Sequence, residues 1–206
     1  VILKAPWSGS GRGVRVILKE SPDNRLGAWI NHIFQTQGGM EIQPFYTKIA
    51  DWAMEFYATP DGEVSFTGLS HFFTSPLLGY SGNMVASQET LRSIWCRHLP
   101  SEVLNQVRDG LQTVLSELVR GKYTGPLGVD MMFCKDAGGG VLLHPCVEIN
   151  FRRTMGQTAQ QIALHLAGDG HHGDGVHIRR GDAGDEVRRA RAGGGEAHAD
   201  LAGGTG

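Results

Sequence analysis

The sequence predicts an α+β fold built from antiparallel hairpins with packed helices, and three observations predict it. Apolar and polar residues alternate at Val147-Glu148-Ile149-Asn150-Phe151-Arg152, which is the period of a strand. Short glycine-bearing turns at Asp61-Gly62 and from Lys135 to Gly140 join neighbouring strand-like runs as hairpins. The segments 89–98 and 101–120 instead carry apolar residues at three- and four-residue steps, the period of an amphipathic helix.

The bulk numbers suit one ordinary domain with a sizeable core: 206 residues, 40% of them hydrophobic, with a formal charge of −2. That balance argues against a polyelectrolyte partner such as nucleic acid. No apolar run approaches membrane-spanning length, and no signal peptide precedes the first strand, so a membrane partner is not expected. Cys96, Cys134 and Cys146 are widely spaced without a CxxC pair, which fits reduced, buried thiols in a cytoplasmic protein rather than a metal–thiolate site.

Taken in order, Val1 to Pro6 is a short apolar strand with Lys4 near its end. Trp7-Ser8-Gly9-Ser10-Gly11-Arg12-Gly13 is a loop of small residues, and Val14 to Leu18 resumes a β-type run. Strand, glycine loop and strand make a hairpin whose tip can close over phosphates with backbone N–H groups. No Gly-Lys-Ser/Thr follows and no helix opens there, so it is not a Walker A loop. Ser21 to Asn24 reads as a turn, and Leu26, Trp29, Ile30, Ile33 and Phe34 predict a helix to Gln37, ended by Gly38-Gly39. Met40 to Gln43 is a strand closed by Pro44, and Ile49 to Tyr57 is another, with Lys48 and Asp51 near their junction. Gly68 to Ser87, with His71, Tyr80, Ser81 and Asn83 among glycines, reads as a connecting loop facing substrate; His71 is assigned no catalytic role. Ser101 is the expected N-cap of the longer helix, with Glu102 in its first turn.

Gly128 to Phe133 and His144 to Phe151 form the last hairpin, the second strand reading as buried. It sets Asp130 and Glu148 on neighbouring strands. Two carboxylates brought together in a buried site repel unless a cation lies between them. Mg2+ takes oxygen ligands, usually one or two carboxylates plus substrate phosphates, and Glu148 and Asn150 offer such oxygens two residues apart. A solvated edge strand is the plainer reading of the same alternation. Beyond residue 160 the composition shifts: residues 168–206 hold 12 of the 30 glycines, so 161–206 is expected to be a disordered tail.

Joined together, Lys4, the glycine hairpin and the Glu148-x-Asn150-x-Arg152 strand resemble the ATP-grasp superfamily over residues 1–157. The resemblance implies two small antiparallel-sheet lobes with the nucleotide site between them. It implies ATP and Mg2+ as cofactors, with Lys4 on nucleotide phosphate and Ser8 to Gly13 covering it. Gln43 and Phe45 fall at the interlobe hinge that binds adenine, with glutamine where the family commonly has an acid. Lys48 and Asp51 are placed to reach phosphate and ribose, with a surface ion pair as the equal alternative. Asp130, Glu148 and Asn150 would hold Mg2+, and Arg152 or Arg153 would stabilise the transferring phosphoryl group. The implied activity is ligation: a carboxylate is activated as an acyl phosphate, and an amine or thiol then attacks it. The resemblance also implies a front domain missing before Val1. A non-catalytic nucleotide-binding module and an α+β interaction domain are the rival readings.

Overall fold

A computed structural model describes residues 1–8, 13–17, 24–75, 79–168, 176–179 and 187–189, the last two segments and residues 24 and 168 as backbone only. A small lobe comes first. Strands β1 (Ile2–Lys4), β2 (Val14–Val16) and β3 (Glu41–Gln43) form an antiparallel sheet in the order β2-β1-β3, and helix α1 (Asn24–Gln37) connects β2 to β3. Leu3, Ala5 and Ile33 are its buried apolar residues.

The second lobe is a seven-stranded antiparallel sheet. It contains β4 (Thr47–Ala58), β5 (Val64–Thr74), β6 (Tyr80–Val85), β7 (Gly125–Lys135), β8 (Val141–Asn150), β9 (Val176–Arg179) and β10 (Val187–Arg189), in the order β10-β9-β6-β5-β4-β7-β8. Period two divides β4 and β7 cleanly. Trp52, Met54, Phe56 and Ala58, with Leu127, Val129, Met131 and Phe133, face helices α2 (Gln88–Trp95) and α3 (Ser101–Val119) in one apolar core. Trp95 meets Phe133 edge-on with ring centroids 4.6 Å apart, and His71 stacks on Trp52 at 4.5 Å, so His71 belongs to this aromatic face. The opposite face carries Asp51, Ala53 and Glu55 of β4 beside Gly128 and Asp130 of β7, since Ala53 pairs with Asp130 and Glu55 with Gly128. Helix α4 (Met155–Gly168) has its N-terminus on that face.

The structure corrects several expectations. Pro100, not Ser101, is the N-cap of α3, and it supplies no side-chain cap; Ser101 is the first helical residue. The segment read as a loop from Gly68 to Ser87 is mostly the β5–β6 hairpin. Glycine hid this strand pattern: Gly68, at φ 148°, sits where the β4–β5 register shifts. The His144 strand is not buried; β8 is an edge strand, and Asp130 opposes Glu148 while Met132 opposes His144, so Pro145 and Cys146 are extra residues in a bulge. Proline has no N–H for a ladder and is tolerated at such an edge. Cys134 is buried, whereas Cys96 and Cys146 are exposed. Helix α4 continues to Gly168 across the expected boundary at 161, and β9 and β10 extend the sheet from within the expected tail. No helix among the described residues is long and apolar enough to cross a membrane.

Candidate functional site: a cleft between the lobes

The turn Pro44-Phe45-Tyr46 joins β3 to β4, and a cleft of about 1150 Å³ opens between the lobes beside it. That volume suits a nucleotide-sized ligand with space beside it. Lys4, Ser8, Gln43, Phe45, Lys48, Asp51, Asp130, Glu148, Asn150 and Arg152 all line this one cleft. Residues more than 120 positions apart in the chain therefore converge.

On the small lobe, the Lys4 ammonium donates across the cleft to the Val147 carbonyl at 3.4 Å, one residue from Glu148. Ser8 Oγ donates to the Ala5 carbonyl at 3.1 Å, and Ala5 N donates to the Gly13 carbonyl at 2.8 Å, which closes the base of the hairpin. A Cβ on Gly13 would lie 2.2 Å from Ser8 Oγ, so this close approach requires glycine. Gly9, Ser10, Gly11 and Arg12 lie outside the described residues. Gln43 ends β3 and its carboxamide donates to Glu41. Lys48 and Asp51 form an ion pair at 2.6 Å, and Thr74 joins both, so the ion-pair reading and the cleft placement hold together.

On the large lobe, the β7–β8 register sets Asp130 directly opposite Glu148. Burial first, then the Glu148 charge, pushes the Asp130 carboxyl up to about 7; its hydrogen bond with Asn150 and the Arg152 charge oppose that rise. Arg152 is not on the strand, as the alternation suggested, but in the turn after it. Its guanidinium folds back and donates to Asn150 Oδ1 at 2.7 Å, and its N–H donates to the Asn150 carbonyl at 2.9 Å. Arg152 lines the cleft, whereas Arg153 does not.

Two carboxylates and a carboxamide are hard oxygen donors, and the electrostatic repulsion in the pair is what a divalent cation would relieve. Among the described residues there is no ready cage of three or more His, Cys, Asp or Glu. Mg2+ does not demand one, because it keeps waters and shares phosphate oxygens.

The remaining wall was only partly legible. Tyr80 donates to Asn83 Oδ1 at 2.6 Å, and Asn83 Nδ2 donates to Ser70 Oγ at 2.8 Å, forming a buried polar row on β5 and β6. Desolvation pushes the Tyr80 phenol up to about 12. Sequence reasoning missed Glu55, Thr154 and Gln157. Glu55 was visible as one acid inside the apolar run from Trp52 to Ala58. Thr154-x-x-Gln157 has the spacing of a capping box.

Two lobes of antiparallel sheet with packed helices clasp this cleft in an α+β fold. Solved structures agree. The chain superposes on the biotin carboxylase–β,γ-ATP complex from Campylobacter jejuni with a TM-score of 0.51 and 16% identity, covering 78% of this chain and 33% of that one. A Rhizobium etli pyruvate carboxylase variant solved with acetyl coenzyme A gives a TM-score of 0.53 and 17% identity, covering 78% of this chain and 13% of that one. The chain thus spans about a third or less of the length of these neighbours. No family model and no curated protein sequence matches it.

Proposed function

We propose that the cleft binds ATP with Mg2+ and serves a ligase that activates a carboxylate as an acyl phosphate for an amine or thiol. The observation that carries this reading is the convergence of Lys4, Asp130, Glu148, Asn150 and Arg152 on one interlobe cleft. Phosphoryl transfer asks the protein mainly for positioning and charge neutralisation, and these five side chains supply both. Lys4 neutralises nucleotide phosphate from above. Asp130, Glu148 and Asn150 would hold Mg2+, which would supply positive charge against the phosphates. Arg152, fixed by Asn150, faces the group in transit. A carboxylate oxygen of the substrate attacks the γ-phosphorus and ADP departs. The amine or thiol then attacks the acyl carbon, and inorganic phosphate leaves as the nucleophile gives up its proton. Gln43 and Phe45 at the hinge face the base, Lys48 reaches phosphate and Asp51 the ribose hydroxyls.

The test is Glu148→Gln, which keeps the shape of the side chain and removes its charge. Mg-dependent nucleotide turnover should vanish while circular dichroism and the melting midpoint hold. Unchanged turnover would refute the metal assignment. Mg-ATP binding by the wild-type chain without ADP release, over a panel of acids and amines, would support a nucleotide-binding module instead.

A further inference from the structure

One acid in the wall of the cleft is not used by this chemistry. Glu55, in the middle of β4, is fully buried, and it is the one acidic side chain in the buried set among the described residues. Its Oε2 accepts from Thr154 Oγ1 at 2.8 Å, and its Oε1 has no hydrogen-bond partner. Glycines wall it in. A Cβ on Gly128 would lie 2.7 Å from Oε2, and one on Gly156 would lie 2.0 Å from Oε1. An apolar side chain would be far easier to bury in such a slot, because an unpaired buried carboxyl oxygen is costly.

What Glu55 holds explains its presence. Thr154 Oγ1 also accepts from Gln157 N at 3.1 Å, while Gln157 Oε1 accepts from Thr154 N at 3.2 Å, a reciprocal capping box at the start of α4. Gln157 Nε2 donates to the carbonyls of Phe56 at 3.1 Å and Leu127 at 3.3 Å. Those residues are the chain neighbours of Glu55 and Gly128, so the start of α4 is bolted to the two central strands. Only residues 151–153 separate this anchor from Asn150, and Arg152 is among them. Arg152 and Asp130 are also the charges that Glu55 feels most.

We propose that Glu55 is a positioning residue. Through Thr154 it fixes the turn that presents Asn150 and Arg152 to the phosphates of a metal-bound nucleotide. The inference rests on the nucleotide reading above. It predicts a defect in metal-coupled binding rather than in nucleotide binding at large.

The experiment compares affinities for a non-hydrolysable ATP analogue with and without Mg2+. In Glu55→Ala the gain conferred by Mg2+ should shrink roughly tenfold or more, as for residues that orient metal ligands, while the Mg-free affinity stays within about twofold. Glu55→Gln, whose carboxamide oxygen still accepts from Thr154, should retain the gain. Thr154→Ser should also retain it, and Thr154→Val should lose it, so this pair decides between the outcomes if Glu55→Ala fails to fold. A merely structural role would lower the melting midpoint in every variant and leave the Mg2+ gain intact, which overturns the proposal. A wild-type chain with no Mg2+ gain would instead overturn the nucleotide reading, and this inference with it.

Discussion

Two acids on the polar face of the large sheet hold their protons unusually long. Desolvation pushes Glu55 from 4.5 up to about 8, with the Asp130 charge adding and the Thr154 hydrogen bond opposing. Asp130 rises from 3.8 to about 7. In both, the folded chain keeps a proton that the unfolded chain releases. Their contribution is therefore fully present below the unfolded values and is lost as pH climbs through the folded ones. For Glu55 a rise from 4.5 to about 8 corresponds to on the order of 5 kcal/mol surrendered across that window. Urea unfolding between pH 5 and 9 should show wild-type stability falling, with a distinctly flatter profile for Glu55→Gln; equal slopes would show that Glu55 does not titrate there. Asp130→Asn should raise the melting midpoint of the metal-free protein at pH 8 by removing one of two facing charges. The same variant should lose the stabilisation that Mg-nucleotide gives the wild type. A variant still stabilised by Mg-nucleotide would remove Asp130 from the ligand set.

Single elements carry the next level of constraint. Strands β4 and β7 approach closely at Glu55 and Gly128, where an added Cβ would lie 2.7 Å from both Glu55 Oε2 and Thr154 Cγ2. Gly128→Ala should therefore cost about 1–3 kcal/mol in chemical denaturation, the usual penalty of overpacking. A cost near zero would mean that the Glu55 slot is looser than the geometry indicates. Elements were legible where one pattern ran unbroken. The period-two run from Val147 with the glycine turn before it placed Asp130 and Glu148 on neighbouring strands, though not directly opposite each other, as the register has them. The apolar stripe of α3 was legible in outline: Leu104 and Leu115 are buried, whereas Val114 and Leu118, read as part of the same stripe, are exposed. Patterns broken by special residues were not legible. The bulge at Pro145-Cys146 slips the register, and the glycines at 68, 79 and 82 disguised the β5–β6 hairpin. Glu55 escaped notice because its importance lies in Thr154, 99 residues away, and no local period reports so distant a contact.

At the scale of the molecule the two lobes are unequal. The large lobe wraps a continuous aromatic and aliphatic cluster around Trp52, Trp95 and Phe133, whereas the small lobe buries chiefly Leu3, Ala5 and Ile33. Local opening free energy follows buried apolar contact. Amide hydrogen exchange should accordingly be faster in β1 and β3 than in β4 and β7, and Mg-nucleotide should slow it in β1, where Lys4 reaches over the cleft to Val147. Protection confined to the large lobe would mean that Lys4 does not engage the ligand.

The Pro145 bulge has a further effect, outside catalysis. Strand β8 is a margin of the seven-stranded sheet, and a straight margin offers its free amides as a template on which another chain can add. Proline has no N–H to offer, and the two surplus residues interrupt the regular alignment that a docking strand would need. The irregularity beside Glu148 thus also discourages self-association into fibrils along the side of the sheet that bears the site.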